Sequence, residues 1–250
     1  MTPYWFEPDW PAPKGVRVLS TWRGNPGEGG GASRTPYAGF NLGDHVGDDP
    51  LAVAENRRVL RCEARLPEEP TWLSQVHGIS VADLDADGRY GSADAAITRQ
   101  IGKVCAILTA DCLPIVFATD SGDLVAAAHA GWRGLAAGVV GATVSALGVP
   151  GERLIAWLGP AIGPGHFEVG GEVREAMLKA DPGASEAFKL GLRGRFMADL
   201  GLLARRQLKS LGVERVYGGG ECTYAHPDRY YSHRRDGVTG RQATLIWREA

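Results

Sequence analysis

Along the chain, short and densely apolar runs alternate with longer stretches in which apolar residues recur every three or four positions. The first kind covers positions 16–21, 104–109, 114–118, 124–129, 154–158 and 244–247. Runs of this length predict strands, and those without polar alternation predict burial on both faces. The second kind covers 50–65, 134–147, 173–180 and 196–211, the last with Leu200, Leu203 and Leu208 spaced for one buried face; these predict helices. Interleaved in this order, they predict a layered α/β (α+β) fold with mixed β-sheets flanked by helices. Glycine, at 35 residues, gathers in 24–31, 159–171 and 218–220, which predicts long loops. Segment 24–31 is expected to be a surface loop, with a lid as the alternative. No Pro- and Ser-rich linker and no fixed-period repeat interrupts the pattern, so residues 1–250 are expected to form one domain.

Composition narrows the class. Hydrophobic residues make up 44% and charged residues 22%, the balance of a folded globular chain long enough to bury a core without disulfides or metal staples. The net charge is −2, and the pairs Arg57-Arg58, Arg205-Arg206 and Arg234-Arg235 are isolated. Without a basic stripe, nucleic acid is not an expected partner. The first residues lack a charged start followed by an apolar run, and no window has 18 uninterrupted apolar residues. No membrane association is therefore expected, and the location expected is cytoplasmic. Cys62, Cys105, Cys112 and Cys222 are too few and too scattered for a disulfide framework, which suits a reducing compartment. The expected state is a monomer or a small homo-oligomer.

Three segments carry candidate chemistry: Gln75-Val76-His77-Gly78, Thr109-Ala110-Asp111-Cys112 and His129-Ala130-Gly131-Trp132-Arg133-Gly134. Each sets a potential metal ligand at or just past the end of a strand-like run, where a sheet holds side chains rigidly at a cleft. His77 and Cys112 are 35 positions apart, and Cys112 and His129 are 17. Such separations exclude a local zinc knuckle and require the fold to assemble the group. Two histidines and a thiolate with a fourth position open form the donor set of a catalytic zinc site, whereas a structural site adds a fourth protein ligand. Asp111 is then either an orienting partner of a ligand or the base. Cys112 and His129 suit a metal-free thiol nucleophile as well. The two readings part at His77, which only the metal site needs.

Gly131 to Gly134 lead into the helical pattern and could offer free amides to an anion, with Arg133 as a forked donor; a tight strand-to-helix turn explains the same residues. His166, in the loop Gly163-Pro164-Gly165-His166-Phe167, faces either a substrate or solvent. Cys222-Thr223 and 230–241 are dense in charged and aromatic residues, which predicts either a solvated hairpin or a buried polar network supporting the site.

Taken with Tyr37 to Asp48, Glu55-Asn56-Arg57, Ala93-Asp94-Ala95, Gly159-Pro160-Ala161-Ile162-Gly163, Arg234-Arg235-Asp236 and Thr239-Gly240-Arg241, these segments resemble the YfiH family over nearly the whole chain. That family is described as purine nucleoside phosphorylases and formerly as polyphenol oxidases or laccase-like proteins. The resemblance implies zinc ligation by His77, Cys112 and His129, and a layered fold similar to the cytotoxic necrotizing factor catalytic domain. It implies phosphorolysis of adenosine, inosine and methylthioadenosine, with adenosine deamination as a second activity. Purine nucleosides and phosphate would be the partners. Asp111 is then the expected proton shuttle of deamination. Arg57, Arg133 and the amides after Gly131 are candidates for phosphate, and Asn41, Gln75 and His166 for the nucleoside. The chain departs from the family pattern at His233, where an aromatic residue is expected, and in its glycine run at 29–31.

The oxidase description implies several coppers, which need many closely spaced histidines. The chain has six histidines and no His-x-His pair, so multicopper chemistry is not expected, although one copper could replace zinc. A Cys-His hydrolase acting on an amide or ester of a cell-wall precursor is the other enzymatic reading, and a binding protein with a structural metal the non-enzymatic one.

Overall fold

The apolar runs become the central strands of two stacked sheets. The computed structural model describes residues 4–24, 30–86 and 90–250. Its strands are β1 (Trp5–Phe6), β2 (Val16–Thr21), β3 (Thr71–Trp72), β4 (Val81–Asp83), β5 (Ala95–Thr98), β6 (Val104–Thr109), β7 (Leu113–Thr119), β8 (Val125–Ala130), β9 (Leu154–Leu158), β10 (Glu168–Val169), β11 (Phe188–Leu190), β12 (Phe196–Ala198), β13 (Arg215–Gly218) and β14 (Gln242–Arg248). The α-helices are α1 (Pro50–Glu63), α2 (Trp132–Ala137), α3 (Val139–Leu147), α4 (Gly171–Ala180), α5 (Leu200–Ser210) and α6 (His233–Asp236). One sheet has the order β1-β2-β14-β6-β3 and the other β13-β9-β7-β8-β5-β4, with β10-β12-β11 as a small third. Both large sheets are mixed: β3 with β6, β4 with β5 and β13 with β9 run parallel, and their other pairings run antiparallel.

Alternation along the strands separates three cores, because successive side chains point to opposite faces. Cys105 and Ile107 of β6 pack with Val116 of β7, Ala127 of β8 and Trp157 of β9, between the two sheets. Their neighbours Val104, Ala106 and Leu108 turn to the other face and meet Leu60 of α1. Ile115 and Phe117 of β7, with Ala126 and Ala128 of β8, meet α2 to α5 on the far side. The order of layers is therefore α1, sheet, sheet, helices. Buried on both faces, β6 to β9 read as continuous apolar runs, and the mixed-sheet expectation holds. Among the described residues no helix is long and apolar enough to cross a membrane.

Two expected helices are broken. The stretch 134–147 divides at Gly138, whose left-handed φ of 100° closes α2 through an amide shared by Gly134 O and Leu135 O. That backbone state suits glycine. The stretch 196–211 begins as a strand, since Phe196–Ala198 pairs between β10 and β11. Asp199 then caps α5, accepting from Leu202 N at 2.9 Å, so the helix starts at Leu200. Of the glycine-rich segment 24–31, residues 25–29 lie outside the described residues, and the surface-loop expectation falls there.

Candidate metal centre and its cavity

The chain passes from one large sheet to the other through Ala110, Asp111 and Cys112, between the end of β6 and the start of β7. Cys112 is thus held at the seam of the two sheets. Antiparallel pairing of β7 with β8 sets Pro114 opposite His129, which brings the second ligand alongside the first. His77 arrives from the loop between β3 and β4 in a left-handed conformation, φ 60°, that is uncommon for a residue with a side chain.

Asp94, just before β5, holds that loop in place. Its buried carboxylate accepts from the backbone amides of Val76 at 3.2 Å, His77 at 2.9 Å and Gly78 at 2.6 Å. It also accepts from His129 Nδ1 at 2.8 Å, which leaves Nε2 of that ring as the free ligand atom. Burial would raise the Asp94 pKa, but these hydrogen bonds outweigh it and lower it. One carboxylate therefore orients two of the three ligands, the part the sequence reading considered for Asp111.

The ligand atoms of His77, Cys112 and His129 all lie within 4.8 Å of one another, with His77 Nε2 3.8 Å from Cys112 Sγ. Ligands around a tetrahedral cation stand roughly 3.3–3.6 Å apart, from ordinary Zn–N and Zn–S lengths. His77 Nε2 and Cys112 Sγ already stand near that separation, and the group as a whole fits a single ion after side-chain shifts of at most about 1 Å. A second observation points the same way: a Cβ on Gly131 would stand 2.8 Å from Cys112 Sγ and 3.1 Å from His77 Cδ2. Only glycine leaves the two ligands room to converge. Without a metal, burial would push the Cys112 thiol up, but the charge of His129 and hydrogen bonds from both histidines lower it to about 6. Burial would lower His129, yet the Cys112 thiolate and the bond to Asp94 raise it to about 9. A thiolate beside imidazole nitrogens is a donor set made for a soft or borderline cation.

The cluster opens into a cavity of about 380 Å³, whose lining includes Gln75, Arg133 and Arg241 and, with His45 and His233, no carboxylate among the described residues. Arg133 is exposed and lies over Trp132, 4.4 Å from its ring centre. Gln75 braces the wall by exchanging hydrogen bonds with the backbone of Leu108, both 2.9 Å. Gly131 to Gly134 form the turn from β8 into α2, a helix of six residues with Gly131 as its N-cap.

Several expected site residues are placed elsewhere. Asp111, φ 91°, accepts from Thr223 Oγ1 and from the Arg234 amide, both at 2.7 Å, and does not line the cavity. It ties Thr223 and the start of α6 to the β6–β7 turn, and of the two readings of 222–223 and 230–241 the buried polar network holds for Thr223, Tyr230, Tyr231 and Ser232, which are fully buried, while 233–238 are largely exposed. Arg57 gives its guanidinium to Leu42 O at 2.8 and 3.0 Å and stacks over Trp72, within a different surface depression. Asn41 is buried and saturated by Gly43, Asp48 and the Arg241 amide. His166 stacks on Tyr224 and bonds Cys222 Sγ at 3.5 Å, away from the cavity lining. Asp94, Arg241 and His45 were given no role in the sequence, although all three stand in segments that carried the family resemblance, and His233 was noted only as a departure from the family pattern.

Residues 27–249 match the family model described as multi-copper polyphenol oxidoreductase laccase. A protein named purine nucleoside phosphorylase YfiH from Escherichia coli is 50% identical over 242 residues, covering 96% of this chain and 97% of its own. The chain belongs to the YfiH family. Another member, a Pseudomonas aeruginosa protein named purine nucleoside phosphorylase, is 54% identical over 97% of this chain and 98% of its own. Among solved structures, a Neisseria meningitidis protein superposes with a TM-score of 0.92 at 45% identity, covering 99% of this chain and 100% of its own. YlmD from Geobacillus stearothermophilus gives 0.91 at 31% identity, over 100% of this chain and 98% of its own. The YfiH relatives thus carry both an oxidase and a phosphorylase description. Among the described residues this chain has one group of three or more metal-capable side chains, against the several that a multicopper centre requires.

Proposed function

We propose that this YfiH protein is a cytoplasmic, zinc-dependent purine nucleoside phosphorylase acting on adenosine, inosine and methylthioadenosine, with adenosine deamination as a second activity. The observation that carries the reading is a three-ligand group, His77, Cys112 and His129, opening into a cavity lined by two arginines and, among the described residues, no carboxylate. Relatives named purine nucleoside phosphorylase over nearly their full length support the same chemistry.

Zinc held by the three side chains would supply Lewis acidity at an open fourth position. The chain's own residues do the rest. Asp94 keeps His129 in the tautomer that ligates and fixes the loop bearing His77. Arg133 and Arg241 provide positive charge where phosphate must approach the ribose, and the leaving purine takes a proton from solvent or from a cavity histidine, His45 or His233. Deamination has less support here, because the carboxylate expected to shuttle its proton, Asp111, is committed to Thr223 and Arg234.

The decisive assay supplies a purine nucleoside with phosphate and measures free base and sugar phosphate, before and after metal removal. Phosphate-dependent cleavage lost with zinc and restored by it is the expected result. A second reading rests on the Asp94–His129–Cys112 chain, which is also the layout of a thiol nucleophile, its base and an orienting carboxylate. Hydrolysis of an amide or ester that survives complete metal removal, with nucleosides untouched, would establish that reading instead. Phenol oxidation with copper bound and no zinc would establish the laccase description.

A further inference from the structure

The cavity beside the ligand cluster is lined by two arginines and, among the described residues, no carboxylate, and the position of one arginine is built in detail. The Arg241 amide donates to Asn41 Oδ1 at 2.8 Å, and its Nη1 donates to Thr239 O and Gly240 O, both at 2.9 Å. Asn41 is itself fixed, donating to Asp48 Oδ2 at 2.8 Å and accepting from Gly43 N at 2.9 Å. The arginine stem lies over Gly43, where a Cβ would stand 2.7 Å from Arg241 Cγ. Four residues thus hold one guanidinium on the cavity wall.

Among the described residues no carboxylate is hydrogen-bonded to this guanidinium; Cys112 and Asp111 act on it only through space, and the Cys112 sulfur is committed to the ligand cluster. Nearby carboxylates are engaged elsewhere, Asp48 by Asn41, Asp111 by Thr223 and Arg234, and Asp44 by Arg57. Nε and Nη2 of Arg241 make no hydrogen bond to the described residues. Arginine does not escape burial by losing its proton, and a half-buried cation without a partner is costly unless a ligand supplies the opposite charge. A planar fork with two free donors matches phosphoryl oxygens.

We infer that Arg241 is the residue that takes a phosphoryl oxyanion in this cavity, with the exposed Arg133 as a second donor at its rim. The inference rests on the phosphorylase reading in identifying that anion as the phosphate co-substrate. The 5′-phosphate of a nucleotide offers the same oxygens, and the test separates the two sources.

Inorganic phosphate and adenosine 5′-monophosphate are titrated separately into metal-loaded wild type, R241M and R241K by calorimetry. Metal content, and KM for phosphate and for adenosine, are measured alongside. The wild type should bind at least one anion. R241M should weaken it by roughly tenfold or more, and R241K, a point charge without the fork, by an intermediate factor. Metal content and the KM for adenosine should stay near wild type. Binding of free phosphate assigns the co-substrate; binding of the nucleotide alone assigns its own phosphate. A wild type that takes neither anion, or variants that bind as tightly as wild type, would overturn the inference. If R241M does not fold, R241K decides on the same criterion. A wild type that binds phosphate through Arg241 but cleaves no nucleoside would refute the phosphorylase reading and leave this one standing.

Discussion

Gly131→Ala adds one methyl group at the start of α2, where its consequences can be worked from distances. The new Cβ would stand 2.8 Å from Cys112 Sγ and 3.1 Å from His77 Cδ2. Non-bonded heavy atoms rest about 3.5–4.0 Å apart, so the sulfur must retreat by roughly 0.7 Å or more. The backbone at 131, φ −66° and ψ 164°, suits alanine, so the whole effect is steric and falls on the ligands. Overpacking of this kind costs about 1–3 kcal/mol, on the order of 2–12 °C in Tm for a chain of this size. Metal binding should suffer more, because ligand distances tolerate errors of only about 0.2 Å; a loss of about 10- to 100-fold in affinity is expected, similar to removing an outer hydrogen-bond partner. The assay is metal per chain by plasma mass spectrometry after dialysis against a graded chelator, with Tm of the metal-free protein in parallel. Gly141→Ala in α3 is the control, since a Cβ there meets nothing within 4 Å; it should stabilise by up to about 1 kcal/mol. Wild-type metal affinity in Gly131→Ala would refute the reasoning that these three side chains converge on one ion.

Cys112→Ala should abolish metal retention and activity while leaving the circular dichroism spectrum unchanged, since three cores are independent of the site; full zinc occupancy would contradict this. Asp94→Asn keeps the shape but weakens the bonds to His129 and three amides, with an expected cost of about 1.5–3 kcal/mol and a 10- to 100-fold fall in metal affinity. Unchanged values in chelator competition and denaturant melts would show that Asp94 does not orient the ligands. In metal-free protein the Cys112 proton leaves as pH rises through about 6, so alkylation of its peptide by iodoacetamide should climb with that midpoint. Below it the sulfur of the metal-free protein is protonated, and metal must displace that proton to bind, so metal affinity falls as pH drops below about 6; His129→Ala should move the midpoint up, and a wild-type midpoint near 9 would rule out the ion pair.

Much of the scaffold was legible in the linear pattern. Apolar runs at 104–109, 154–158 and 244–247 are strands because dense hydrophobicity has few other uses at that length. The broken helices were not legible, because the apolar spacing of 134–147 continues through Gly138, and the strand at Phe196–Ala198 exists only through its partners β10 and β11. The short edge strands lack any periodicity to read.

His77, Cys112 and His129 were legible as ligand-type side chains at strand ends, but residue type left a thiol–imidazole dyad open as well, and it was the resemblance to the YfiH family that implied all three as ligands of one ion. Residue type and apolar periodicity are local properties of the chain, and they determined the class of the layered fold and marked the candidate ligands. Which carboxylate serves that set was decided by tertiary structure alone: Asp111 stands next to Cys112 in sequence yet turns to Thr223, while Asp94 reaches His129 because β5 pairs with β8. The same holds for Arg57 and Arg241, two arginines of equal chemistry, one spent on Leu42 O and the other left facing the cavity. A hydrogen bond is made by whichever group the fold brings within about 3 Å, and sequence distance carries almost no information about that choice.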